Sequence, residues 1–366
     1  MKIYLMICLL FFTTLAFAQA GNSDNPDNLK AKLYELNVKT IPPGNFKLPF
    51  QSIKIIDNRP DTTKLGFRIY NRFLSTYSFQ KIVIKPVIAT GIENFYNEYY
   101  SNNFSPNGKI LLISIKKLWI NTKPEKPVKS ITRDIERLSL QDIYAKFEYY
   151  FGTENAYLPL IRKDTVFQLP ALKNVEEYNP DDESKLPFLC FALEQMIENV
   201  NYDLYTHGFE NKKKMSLKDI DAYNAKSNNM PILNEAVRKG IFMTFDEFKN
   251  NRPSVLSFNK RKIPKKKIDE IIDEKGNVIL HYFAYYDGEK LAMYKSFATL
   301  FAVSRSQYNF GIYKIGNSFQ FFENQIENTM ATNNLTTKDV NIPIKTPQRI
   351  VYRVPRQIDL ETGEIY

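Results

Sequence analysis

The stretch IYAKFEYYF, Ile143 to Phe151, alternates without a break. Ile143, Ala145, Phe147, Tyr149 and Phe151 fall on one side; Tyr144, Lys146, Glu148 and Tyr150 fall on the other. A period of two belongs to a strand with one face against a core, and a slip of one residue would expose the whole apolar row. The segment therefore demands partner strands. GKILLISIKKLWI, Gly108 to Ile120, reads as a strong strand, as do Ile53, Ile55 and Ile56 up to Asp57, with KIVIK, Lys81 to Lys85, as a shorter one. AYLPLIRKDTVFQL continues as edge or hairpin strands, because Pro159 has no amide for a central ladder.

Between these runs the period changes. Ile88, Ile92, Phe95, Tyr96 and Tyr99 recur at helical spacing, which predicts a helix over Pro86 to Tyr100 with Pro86 in its first turn. After the acidic loop EEYNPDDESK, Pro187 opens a second helix. Its stripe is Leu189, Leu193, Met196, Ile197, Val200 and Leu204, with Gly208 at the C-terminal cap. Strand, helix, strands, helix is the order of an α+β fold, with an antiparallel sheet carrying two helices on one face. ENKKKMSLKD then marks a boundary. Ser216 with Asp219, and Thr244 with Glu247, are capping-box starts of short helices. From Ile268 the chain reads as a β-meander, with Gly276-Asn277 and Asp287-Gly288 as turn dipeptides between aromatic-rich strands. The expected organisation is a signal peptide at 1–20, a disordered tether at 21–47, an α+β sandwich at 48–208, a smaller helix-plus-meander domain at 209–330, and an extended tail at 331–366 containing Pro343, Pro347 and Pro355.

The leader rests on Lys2, the apolar run Ile3 to Phe12, and the small-x-small sites Ala16-Phe17-Ala18 and Ala18-Gln19-Ala20. The run is short for a membrane span, so cleavage is expected in preference to an N-terminal anchor, placing the chain in the periplasm or outside the cell. Cys8 lies within the run and away from the cleavage point, which speaks against a lipid-modified N-terminus. Cys190 then stands alone in the mature chain, so no internal disulfide can hold it. With 366 residues, 43% of them hydrophobic, the chain is long enough for two cores. No second long apolar segment follows the leader. The formal charge of +10 suits anionic lipid, acidic glycan or nucleic acid, although abundant Lys, Asn, Ile, Tyr and Phe give it a compositional explanation, and no nucleic-acid partner is expected.

Several chemistries have no residues to carry them. The mature chain has two histidines, His207 and His281, neither at ligand spacing to a second His or Cys, so neither a metal site nor a cofactor is expected. HExxH, GxSxG, P-loop and GxGxxG motifs are absent. Cys190, between Leu189 and Phe191, reads as a buried thiol. Carboxylates remain. In IKIIDNRPDTTKLGF, Asp57 and Asp61 flank Arg59. One reading makes them an acid–base pair with Arg59 as electrophilic helper. The other, preferred because nothing elsewhere converges on them, makes Asp57, Arg59 and Asp61 a structural charged corner at a strand end, leaving no catalytic residue assigned. NKRKIPKKK supplies Lys260, Arg261, Lys262, Lys265, Lys266 and Lys267, candidate ligands for phosphates or acidic sugars, or a solvated loop. Trp119, Tyr149, Tyr150, Tyr285 and Tyr286 are the aromatics that could stack on sugar rings, or belong to the core.

The strand IKIIDNRPDTTKLGF resembles the Val-x-Asp-x-Arg-Pro-Asp strand of small envelope lipoproteins of the YajG-like type, over about Leu48 to Gly208. This chain is longer and lacks their lipid-acceptor cysteine. GIFMTFDEFKNNRPS, YYDGEKLAMYKSFATLF and RQIDLETGEIY resemble uncharacterised secreted proteins of Bacteroidota. The first resemblance implies a strand, a helix, further strands and a last helix; the second implies a periplasmic, outer-membrane-associated or exported accessory role, with peripheral association with the outer membrane. Three functions follow in order of preference: a non-enzymatic envelope protein that binds another envelope protein, a binder of anionic glycans or polymers, and a hydrolase working through Asp57 and Asp61.

Overall fold

A computed structural model describes residues 25–36, 43–73, 76–124, 139–168, 186–207, 212–262, 269–297, 306–337 and 340–366. The leader at 1–20, the acidic loop, Gly208 and Lys265, Lys266 and Lys267 lie outside the described residues. The fold is α+β. A seven-stranded sheet comprises β1 (Ala31–Tyr34), β2 (Leu48–Asp57), β3 (Gly66–Phe73), β4 (Thr76–Ile84), β5 (Phe104–Pro124), β6 (Ser139–Thr153) and β7 (Ala156–Gln168). Its order is β1-β4-β3-β5-β6-β7, and β2 pairs with β5 off this path. β3–β4, β5–β6 and β6–β7 are antiparallel; β1–β4, β2–β5 and β3–β5 are parallel. β1 lies inside the segment expected to be a tether: Tyr34, buried, pairs with Ile84. β7 is an edge strand, and its ladder shifts register at Pro159, where the missing amide is tolerated.

β5 organises the sheet. One edge takes β6 along most of its length. The other takes two strands end to end: β2 against Lys109–Ile115, then β3 at Ile120 and Asn121. Between them the β5–β6 ladder shifts register between Ile115 and Lys117, a bulge that places one extra residue on β5. Leu111, Ile113, Ile115, Leu118 and Ile120 consequently stay with the core, while Lys116, Lys117 and Trp119 turn to the opposite face.

Two helices cover the core face, α1 (Ile88–Tyr99) and α2 (Pro187–His207). Pro86 precedes the first turn of α1 by two residues. Ile88, Ile92, Phe95, Tyr96 and Tyr99 of α1, Leu189, Cys190, Leu193, Met196, Ile197 and Val200 of α2, and the row Ile143, Ala145, Phe147, Tyr149 and Phe151 form one buried cluster. Tyr96 donates its hydroxyl to Leu193 O (2.9 Å), tying the helices together. The free edge of β2 is closed by α1: Ile53 N donates to Asn97 Oδ1 (3.0 Å) and Ile55 N to Glu93 Oε2 (2.9 Å). Polar side chains on a core helix thereby satisfy amides that would otherwise invite another strand.

The second half begins with α3 (Leu217–Asn228), whose Ser216–Asp219 capping box is complete. α3 packs against the helix-free face of the first sheet, where Ile220 joins Ile110, Leu112, Tyr150 and Tyr157, and Met215 pairs with Tyr157. α4 (Pro231–Asn234), β8 (Gly240–Phe242) and α5 (Phe245–Lys249) follow; Thr244 Oγ1 accepts from Glu247 N (3.1 Å) to start α5. β9 (Asn259–Lys262) and β10 (Asp269–Ile272) form a small hairpin. β11 (Ala284–Tyr286), β12 (Leu291–Phe297), β13 (Ser306–Ile315), β14 (Ser318–Thr337) and β15 (Val340–Ile358) form an antiparallel meander in the order β15-β14-β13-β12-β11-β8. Its own core gathers Phe242, Phe248, Met293, Phe310, Phe319, Phe321 and Ile358. Residues 340–358, inside the expected extended tail, are thus a paired strand. The last residues, Asp359 to Tyr366, fold back onto the first sheet, where Tyr366 meets Trp119 edge to face at 5.7 Å. Among the described residues no helix is long and apolar enough to cross a membrane.

Candidate functional site: a buried charged seam

The corner Asp57–Leu65 spans the gap between β2 and β3 on one edge of β5. β5 carbonyls at the end of the β2 ladder and beyond it take their donors from the corner. Asn58 N donates to Ile115 O (3.0 Å), and Arg59 Nη1 donates to Leu118 O (3.2 Å) and Lys64 O (2.7 Å). Arg59 is held flat for this by a bidentate pair to Asp57, Nε to Oδ1 (2.8 Å) and Nη2 to Oδ2 (2.7 Å). Asp61 closes the turn: Oδ1 accepts from Thr63 N (2.9 Å) and Thr63 Oγ1 (2.6 Å), Oδ2 from Lys64 Nζ (2.6 Å) and Gln320 Nε2 (3.0 Å). Arg59, Asp61 and Lys64 are buried. Burial pushes the Asp61 carboxyl up, but Lys64 and Thr63 hold it below the ordinary aspartate value.

The Gln320 contact carries the corner into a longer seam. Gln320 also donates to Gln357 Oε1 (3.1 Å), and Gln357 donates to the Tyr366 hydroxyl (2.9 Å). Lys117, turned outward by the bulge, pairs with Asp359 and lies 4.8 Å from the Tyr366 ring centroid. Lys146, across the sheet, meets Asp164 (2.9 Å), Glu361 (3.2 Å) and Asp359 (3.6 Å). Arg162 reaches Glu361 (2.6 Å) and Glu148 (3.7 Å), and Tyr150 donates to Glu148 (3.0 Å). Lys116 bonds Asn224 of α3. Burial alone would lower the Lys146 pKa, but Asp164, Asp359 and Glu361 carry it above the ordinary lysine value. Burial would raise Asp359 and Glu361; Lys117 and Lys146 on the first, Arg162 and Lys146 on the second, bring both below the ordinary range. Lys116 is lowered by burial.

This arrangement joins parts of the chain that lie far apart in sequence. Asp57 accepts from the Arg59 backbone amide and from Nε and Nη2 of its guanidinium. Of the basic run, Lys260, Arg261 and Lys262 sit exposed on β9. Lys260 pairs with Asp287 and Arg261 with Glu270 (2.8 Å). Asp287 is pushed up by partial burial and brought down to about 2 by Lys260 and the amides of Lys290 and Glu289. Among the proposed stacking aromatics, Trp119, Tyr149, Tyr150 and Tyr285 are buried and Tyr286 half-buried, so these rings belong to the cores. His281 is exposed, with its ring 6.2 Å from Tyr294, and Cys190 is buried. No group of three His, Cys, Asp or Glu residues that could hold a metal occurs among the described residues.

Sequence reasoning found Asp57, Arg59 and Asp61 but missed Lys64, Lys117, Lys146, Asp164, Asp359, Glu361 and Gln320. One signal was available. Two adjacent lysines inside the apolar strand ILLISIKKLWI cannot both alternate outward unless the strand bulges, which is how β5 accommodates them. Compared with protein-family models, curated proteins and solved structures, the chain gave no match.

Proposed function

We propose that this chain is an exported, non-enzymatic protein of the cell envelope that binds another envelope component, with peripheral association with the outer membrane. The observation that carries the reading is the state of the corner acids. A general acid or base must reach a substrate proton, whereas Asp57 gives both oxygens to Arg59 and Asp61 both of its own to Thr63, Lys64 and Gln320. The groups best suited to chemistry thus support architecture. The leader at 1–20 supports export to the periplasm or exterior. An anionic-glycan reading draws less support, because Lys260 and Arg261 already face Asp287 and Glu270. Cross-linking in native cells followed by capture of the tagged full chain tests the proposal. A stoichiometric envelope protein retained with the chain is the expected result. Recovery without any other protein, or from cytosol with the leader intact, refutes it.

A further inference from the structure

The β14–β15 ribbon outgrows the sheet that carries it. β13 pairs with β14 only from Ile312↔Phe321 to Ile315↔Ser318, whereas β14 and β15 pair without a register break from Phe319↔Ile358 to Thr337↔Val340. Beyond Phe321, β15 is the only strand paired with β14 among the described residues. Val354, near the root, packs with Phe67, Phe79 and Trp119 and anchors the ribbon on the first sheet. From Asn324 to Thr337 the ribbon runs on for roughly 45 Å at 3.3–3.4 Å per residue. Two strands alone are marginally stable in water, and an unpaired edge is a template for another strand.

The two edges of the ribbon differ chemically. Gln357 N donates to Tyr366 O (2.8 Å) and Tyr366 N to Gln357 O (3.0 Å), so the Gln357 backbone faces away from β14. In an unbroken antiparallel ladder every second residue back from Gln357 does the same. That set contains Pro355, Pro347 and Pro343, which have no N–H to offer. Their partners Phe322, Met330 and Asn334 direct their amides to the opposite edge, and β14 has no proline anywhere from Ser318 to Thr337. β15 is blunted against strand addition; β14 is not.

We infer that β14 pairs antiparallel with β14 of a second copy of this chain, forming a four-stranded sheet across a twofold axis. Closure of the edges favours a second copy over a foreign strand. In the symmetric arrangement both outer edges become β15, with its prolines, so assembly closes at two; a foreign strand would present its own far edge and leave the sheet open. The charge on β14 sets the orientation: pairing centred on Met330 puts Glu327 opposite Asn333, whereas an in-register parallel pairing would put it against its own copy. The inference goes beyond the envelope reading and does not rest on it.

Sedimentation velocity on the mature full chain tests it, with a dimer expected at micromolar concentration. Asn328→Pro with Thr332→Pro removes two amides that face the β14 edge and leaves the β14–β15 ladder intact. It should raise the dimer dissociation constant on the order of a hundredfold or more, with the circular dichroism spectrum unchanged. Pro347→Thr restores a donor on the β15 edge and should keep the dimer while adding larger species. A wild-type chain that is monomeric at every concentration overturns the inference, as does a dimer indifferent to the paired proline substitutions. A monomer that loses a captured envelope protein on the same substitutions also overturns it, assigning the edge to a foreign strand while leaving the envelope reading standing.

Discussion

Replacing Asp61 with Asn would leave Lys64 charged and without its carboxylate in a place water does not reach. The Lys64 side chain is 0% exposed and that of Asp61 3%, with Nζ 2.6 Å from Oδ2. Asn matches Asp in size and keeps an oxygen for Thr63 N, but it sets an NH2 against the donors Lys64 Nζ and Gln320 Nε2, so the charge and its acceptor are removed together. Neutralising one member of a buried ion pair destabilises by about 3–5 kcal/mol, because the other charge stays buried. With a urea m-value near ~3 kcal/mol/M for a chain of this length, the midpoint should fall by ~1–1.7 M. The double variant Asp61→Asn/Lys64→Met removes both charges and keeps an apolar stem near Phe67, whose ring centroid lies 5.8 Å from Lys64 Nζ. It should recover about half of the loss or more. Lys54→Met is the control: Lys54 and Glu154 meet at the surface, with side chains 41% and 72% exposed, and no shift is expected. The assay is urea denaturation followed by circular dichroism. An Asp61→Asn midpoint within about 0.2 M of wild type, or a double variant no better than the single, would show that Lys64 does not depend on Asp61 for compensation.

The seam makes a prediction about pH. Asp359 and Glu361 have folded pKa values below their unfolded ones, so their contribution is present above pH ~4 and is lost as pH falls through the lowered folded values. Lys146 is raised, so its contribution is complete below the unfolded value of about 10.4 and is lost as pH rises through the folded one. Stability from these groups should be level between about pH 5 and 10, and Asp359→Asn with Glu361→Gln should flatten the acid limb; an unchanged acid limb, read from urea midpoints at stepped pH, contradicts this. A glycine pair tests the joint between β3 and β5. Gly66 has φ +129°, and a Cβ there would stand 2.1 Å from Ile120 O, whereas Gly276 has φ +83° and open space around it. Gly66→Ala should yield little folded protein, and Gly276→Ala should cost only about 1–2 kcal/mol in thermal denaturation; similar losses at the two positions would refute the close approach.

The parts of this fold that were legible are those where one residue's neighbours decide its side. The row Ile143 to Phe151 and the stripe from Leu189 to Val200 announce a core because period and polarity agree. The corner was half legible: Asp57, Arg59 and Asp61 lie within five residues, but the acceptor Leu118 O and the donor Gln320 come from far along the chain. The placement of α3 was hidden for a physical reason. LKDIDAYNAKSN is mostly polar, and the face it covers mixes Ile110, Leu112 and Tyr157 with Lys116 and Glu148, so the helix itself does not advertise burial. The same holds for Asp359 to Tyr366, whose acids read as a solvated end until Lys117 and Lys146 are seen beneath them. A seam of this kind has a consequence that an apolar one lacks. Apolar surfaces tolerate sliding, since one methyl serves nearly as well as its neighbour. Here a displaced chain end would leave Lys117 buried without its acid and Lys146 with Asp164 alone. The halves therefore dock in one register or not at all, and that fixed register sets where β15 leaves the first sheet and the direction in which the β14–β15 ribbon extends.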